Sequence, residues 1–213
     1  MVGLRRVGSS WTGNSGGYFR AGILAVIVSF AGNSAIGQNI DRGIEAPERG
    51  DYQAALKEIL SLAEQGDAVA QNKLGVMYDN GEGVLADDQE AVRWYRLATD
   101  QGDATAQRNL GDMYNNGEGV LADDQEAVRL YRLAADQGDA PSQYYLGVMY
   151  DTGEGVFTDR ISAHMWLIIA GENGFEMARE RREKVEKTML PADISAAVNS
   201  ARTCMSSGYK NCR

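Results

Sequence analysis

The sequence is poor in the side chains from which metal and nucleophile chemistry is usually built: 213 residues contain one histidine and two cysteines. A closed zinc site takes four such ligands, and Cys204 and Cys212 have no further Cys or His near them in sequence. Basic residues are also in deficit, with a formal charge of −9. Arg5, Arg6 and Arg20 are the only charges before Asp41, so removing the first 37 residues leaves 18 basic and 30 acidic residues, a charge of −12. No basic stripe offsets this, which argues against nucleic-acid and anionic-lipid partners, since both need Lys and Arg against phosphate. A long apolar run is missing too. The most apolar stretch, Ala21 to Gly32, falls short of the roughly 20 residues that cross a bilayer.

What that short stretch does match is a secretory signal. Residues 1–20 are polar and basic without an acid, the apolar segment follows, and Ala35-Ile36-Gly37 places small residues before Gln38. Residues 1–37 are therefore expected to be a signal peptide cleaved near Gly37-Gln38, with 38–50 as a linker; retention as a membrane anchor is the alternative. The Arg5-Arg6 pair is read as ordinary charge of the leading region. After cleavage no membrane contact is expected, and the compartment is periplasmic or secreted.

Internal repetition organises the rest. Residues 68–103 and 104–139 are identical at 29 of 36 positions, including the run NGEGVLADDQEAVR. A diverged copy over 140–174 keeps Leu146, Gly147, Met149, Tyr150, Gly153-Glu154-Gly155-Val156, Asp159, Ala163, Ala170 and Gly174. Half a copy, 51–67, precedes them, with Asp51, Ala55, Gln65, Gly66 and Asp67 in register with Asp87, Ala91, Gln101, Gly102 and Asp103.

Each unit contains two amphipathic segments at helical spacing: Ala70, Leu74, Met77 and Tyr78, then Ala91, Trp94, Tyr95 and Ala98. Gly81 and Gly83 supply the turn, Asp87 with Glu90 predicts an N-cap and capping box, and Gly102 ends the second helix. Gly75, repeated as Gly111 and Gly147, predicts a helix approach too close for a Cβ. A lone helical hairpin cannot cover its apolar face, so the units must stack. The expected fold is all-α, an α-α superhelix: a right-handed solenoid of about three and a half 36-residue repeats, concave on one side.

The pattern A-x-x-x-L-G-x-M-Y-x-x-G-x-G-V, then D, then A-x-x-x-Y-x-x-A-x-x-Q-G-D resembles the Sel-one-like repeat (SLR) family, relatives of tetratricopeptide repeats, over Asp51 to Gly174. The tail is similar to the tails of secreted bacterial members: the helix ARERREKVEKTML, the Pro-started PADISAAVNSA, then the two cysteines around SSGYKN. Where such tails carry Thr before the proline this chain has Leu190, so that helix lacks a side-chain cap. The resemblance implies scaffolding or regulatory protein binding, often in the bacterial envelope.

Residues 175–213 are expected to form C-terminal capping helices, with ion pairs Glu180–Lys184 and Glu183–Lys187 on the first. Ile194, Ala197, Val198, Ala201 and Met205 make an apolar stripe on the second. In an oxidising compartment Cys204 and Cys212 are read as one disulfide closing a short loop, and a pair of metal-binding thiols is the competing reading.

No catalytic set emerges. His164 aligns with Val92 and Val128 and so falls among packed residues. Ser207-x-x-Lys210 matches the S-x-x-K nucleophile pattern of penicillin-recognising enzymes, and some cysteine-rich SLR proteins are associated with β-lactams. Its companion S-D-N and K-T-G elements are missing, and it lies in a Gly-containing loop. A β-lactam or cell-wall hydrolase is carried as the alternative function. Asp87, Asp88, Glu90 and their copies Asp123, Asp124, Glu126 are assigned to capping rather than calcium, and Tyr78, Tyr114 and Tyr150 to the core. No metal and no cofactor is expected.

Positions at which near-identical copies diverge are better candidates. These are Asn72, Arg108 and Tyr144, with Val76, Asp112 and Val148 one turn later, taken to face solvent on the concave side. The expectation is an exported adaptor that grips another protein or peptide there.

Overall fold

The computed structural model describes residues 52–210 and Cys212; the expected signal peptide and linker, 1–50, lie outside them. Among the described residues the order is α1 Tyr52–Glu64, α2 Ala68–Asn80, α3 Asp88–Asp100, α4 Ala104–Asn116 and α5 Asp124–Ala135. It continues with α6 Ala140–Thr152, α7 Arg160–Glu172, α8 Met177–Glu186 and α9 Pro191–Ser206, with no strand. Each helix from α1 to α7 packs on the next, which is the neighbour-to-neighbour stacking of a solenoid. None of these helices is long and apolar enough to cross a membrane.

Aspartates set the helix starts. Asp67, Asp103 and Asp139 cap α2, α4 and α6 by accepting from the backbone N–H of Ala70, Ala106 and Ser142. Asp87, Asp123 and Asp159 each accept two N–H groups at the starts of α3, α5 and α7. Gly81, Gly117 and Gly153, with φ of +70°, +74° and +83°, close the first helices. The capping box expected between Asp87 and Glu90 does not close. The N–H of Asp87 donates instead to the Tyr78 carbonyl at 2.9 Å, tying off the loop, and Glu90 is taken by Arg93 at 2.9 Å.

The helical glycines do mark close approaches. A Cβ on Gly75 would sit 2.6 Å from the Tyr95 ring, one on Gly111 2.9 Å from Tyr131, and one on Gly147 2.7 Å from Leu167. Buried amides stitch the layers together. Gln71 donates to the Ala63 carbonyl at 3.1 Å and accepts from Gln101 at 2.7 Å, joining α1, α2 and α3. Gln143 repeats the arrangement with Ala135 and Asn173, and Gln107 accepts from Gln137. A buried amide satisfied on both ends costs little and fixes one register, which leucine could not do.

The tail covers the last hairpin. Both α8 and α9 pack on α7, and Ala197, Ala201 and Cys204 join the core of Trp166, Tyr131, Leu146 and Ile169. Two expectations need correction here. Val198 turns out of the stripe, 37% exposed, because the helix rotates Ala197 and Ala201 inward. Glu180–Lys184 forms at 2.6 Å, but Glu183 pairs with Arg179 at 3.6 Å, one turn back, since Lys187 already lies past the last helical residue. Leu190 stands before α9 without a side-chain cap, as its chemistry requires. Cys204 and Cys212 are bonded, with Cα atoms 4.5 Å apart. The Cys212 carbonyl accepts from Arg132 at 3.2 Å, whose guanidinium lies 5.1 Å from the Trp166 ring centre.

Candidate protein-binding face

Because α2, α4 and α6 are the first helices of successive units, equivalent residues stand beside one another across the stack. The six diverged positions are less solvent-facing than the sequence suggests. Asn72 is buried, 8% exposed, and accepts a hydrogen bond from the Asn109 amide at 3.0 Å. Arg108, Asp112, Tyr144, Val76 and Val148 are half-buried. The reason is lateral stacking: a side chain leaving one first helix at this angle meets the next first helix before it meets water.

Each polar member is engaged. Arg108 donates to one oxygen of Asp139 at 3.1 Å while the other oxygen caps α6. Asp112 accepts from the Tyr131 hydroxyl at 2.6 Å, and Asp79 from the Tyr95 hydroxyl at 3.1 Å. Tyr144 lies 4.9 Å from Phe175 and 5.6 Å from Tyr145, which stacks on Tyr131 at 5.1 Å. Val76 packs with Tyr95 and Leu110.

Partial burial sets the electrostatics. Desolvation pushes the Asp112 carboxyl above the usual range, against the opposing pull of the Tyr131 hydrogen bond and of Arg108. Asp79 is raised likewise, chiefly by burial. The Tyr95 and Tyr131 phenols are driven upward by burial and by their carboxylate partners, so both remain protonated donors. The result is a partly exposed strip of Asp79, Arg108, Asp112, Tyr144, Tyr145 and Phe175, laid over the buried phenols of Tyr95 and Tyr131, which are 1% and 2% exposed. Such a strip offers hydrogen bonds and ring faces and no activated nucleophile.

Divergence between copies does lead into this strip, but three of its members, Asp79, Tyr145 and Phe175, were missed. Tyr145 and Asp79 sit at positions that also differ between copies, as Lys73, Asn109, Tyr145 and as Asp79, Asn115, Asp151, so the same criterion would have found them. Phe175 stands where the other copies have Asp103 and Asp139 and carries the same signal, whereas the buried Tyr95 and Tyr131 beneath the strip are identical and carry none.

The remaining chemistry-bearing residues are placed structurally. His164 is buried, 2% exposed, with Nε2 3.5 Å from Glu186. Burial lowers its pKa, Glu186 opposing and Arg182 assisting. Ser207 lies at the C-terminal end of α9, its hydroxyl donating to the Cys204 carbonyl at 2.8 Å, and Lys210 is exposed in the following turn. This is the opposite helix end from the one an S-x-x-K nucleophile uses to place both side chains on one face. Among the described residues no three His, Cys, Asp or Glu side chains gather to hold a metal ion.

A family model described as the Sel1 repeat matches residues 68–103, 104–139 and 140–175. A protective antigen present in uropathogenic Escherichia coli strains, displaying an SLR fold, is similar at 32% identity and a TM-score of 0.68, over 74% of this chain and 34% of that one. A Sel1 repeat protein from Oxalobacter formigenes is similar at 34% identity and a TM-score of 0.62, over 66% of this chain and 58% of that one. The chain thus spans about a third of the antigen and somewhat over half of the second protein. Comparison with curated proteins finds no match.

Proposed function

This chain belongs to the Sel1 repeat family, and from that premise we propose that it is an exported adaptor that grips another protein on the concave face formed by α2, α4 and α6. The supporting observation is the strip from Asp79 to Phe175. Copies identical at 29 of 36 positions diverge there, and the diverged side chains Asp79, Arg108, Asp112, Tyr144 and Tyr145 are partly exposed, with Tyr144 against Tyr145 and Phe175. Arg108, Asp112 and Tyr144 keep partial exposure and meet the partner, whereas buried Asn72 positions Asn109 and acts at one remove. Rigid phenols supply contact area at small entropic cost. An extended segment, a loop or a helix of a partner fits such a face.

Export rests on the apolar segment 21–32 and on the Cys204–Cys212 bond, which persists in oxidising compartments. Sequencing of the exported protein is expected to begin at Gln38, and a start at Met1 would mean an anchored protein.

The face is tested by the pair Arg108→Glu and Asp112→Lys, examined by affinity purification from cells. Partners are expected to disappear while thermal unfolding stays cooperative. Retention of every partner by a folded variant overturns the face.

A further inference from the structure

Leu85, Leu121 and Phe157 hold the same place in the three loops between first and second helices, and are 91%, 91% and 96% exposed. Full exposure of a large apolar side chain forfeits the free energy of its burial, yet the most diverged copy replaces Leu with Phe rather than with a polar residue. The loops do not present them loosely. The preceding Val84, Val120 and Val156 pack into the core, and Asp87, Asp123 and Asp159 donate backbone N–H to the carbonyls of Tyr78, Tyr114 and Tyr150 at 2.9 Å. Valine in and Leu or Phe out is the alternation of an extended segment fixed at both ends.

The loops are also adjacent. Gly119 and Gly155 lie directly against the backbone carbonyls of Asp88 and Asp124 in the unit before, where a Cβ would collide. The three apolar tips therefore form a row along one edge, stepping by one repeat. Beside Phe157 a groove of about 700 Å³ opens between Gln125 of the preceding unit and Tyr150 and Val156. Glu118, Glu154, Asp88, Asp124 and Asp159 are exposed around the row.

We propose that this loop edge is a second docking surface, which takes an extended segment of a partner protein carrying an apolar side chain at every third residue with Lys or Arg between. Polyproline II conformation has three residues per turn and rises about 3.1 Å per residue, so every third side chain returns to one face about every 9 Å, on the scale of a helix-to-helix spacing. The acidic rim selects a basic segment, and it repels a second copy of the same edge and anionic lipid. Tips already held in place lose little freedom on binding.

The test is fluorescence anisotropy of a labelled peptide of four Leu-Pro-Lys triplets against purified protein. The comparison variants are the triple Leu85→Ser, Leu121→Ser, Phe157→Ser and, separately, Arg108→Glu. Wild type and Arg108→Glu are expected to bind saturably, while the triple variant, with thermal unfolding unchanged, binds at least about tenfold more weakly. A Ser-Pro-Lys peptide loses binding in the same way. Because Arg108 belongs to the other face, failure there leaves this result intact. Equal affinity of the triple variant, or no saturable binding to wild type, overturns the proposal. It is overturned too if sedimentation shows a dimer that the triple substitution abolishes, or if the row binds phosphatidylglycerol vesicles.

Discussion

Gly75 in the middle of α2 lies against Tyr95, so an added Cβ would sit 2.6 Å from two ring carbons. In an exposed helix Gly→Ala is favourable by about 1 kcal/mol. Here the ring must move, and with it the Tyr95–Asp79 hydrogen bond. Gly75→Ala is expected to destabilise by about 1–3 kcal/mol in urea unfolding, and a gain in stability would contradict the packing described. The recurrence of this glycine was readable from sequence because only a packing constraint holds a residue that weakens a helix in three copies. Burial of Asn72 was not readable, since it depends on the angle between neighbouring first helices, which no residue spacing encodes. His164 gives a second test at this scale. Its folded pKa lies below the usual 6.5, so the fold favours the neutral ring and loses stability as pH falls below about 6.5 toward the folded value. Asp112, whose carboxyl is raised, acts in the opposite direction. The informative quantity is therefore the difference between wild type and His164→Gln. Between about pH 7.5 and about pH 5, wild type is expected to lose more stability than the variant, and equal losses would show that the ring is free to charge in place.

Among the elements, α9 depends on a covalent tie. It packs on α7 through Ala197, Ala201 and Cys204, begins without a side-chain cap at Leu190, and is closed at its far end by the Cys204–Cys212 bond. Removing the bond by Cys212→Ser is expected to cost about 2–3 kcal/mol by chain-entropy reasoning, measured as the urea midpoint with and without reductant. The Arg132 hydrogen bond to the Cys212 carbonyl is expected to loosen with it. An unchanged midpoint would mean that the loop is held by Tyr209, whose hydroxyl donates to Asn173, rather than by the bond. Helix starts and stops were legible because Asp caps and left-handed Gly ends are local chemistry. The unclosed box at Asp87 and the displaced pairing of Glu183 were not, because each donor or acceptor had a second suitor one turn away or across a loop.

For the whole molecule, the stacked hairpins followed from the 36-residue period, since a unit with one apolar face must be covered by the next. The two surfaces that result differ in kind. One is a half-buried strip on the first helices, internally hydrogen-bonded and aromatic; the other is a row of bare apolar tips on the loop edge. Both belong to the adaptor reading proposed above, and an acidic surface favours basic partners.

The most direct measurement is in-cell photocrosslinking from Arg108 and Tyr144, with Arg129 on the outer surface of α5 as reference, followed by mass spectrometry. A partner captured from Arg108 and Tyr144 and not from Arg129 is the predicted result. Capture that is equal at all three positions, or confined to Arg129, would contradict binding on the face of the first helices.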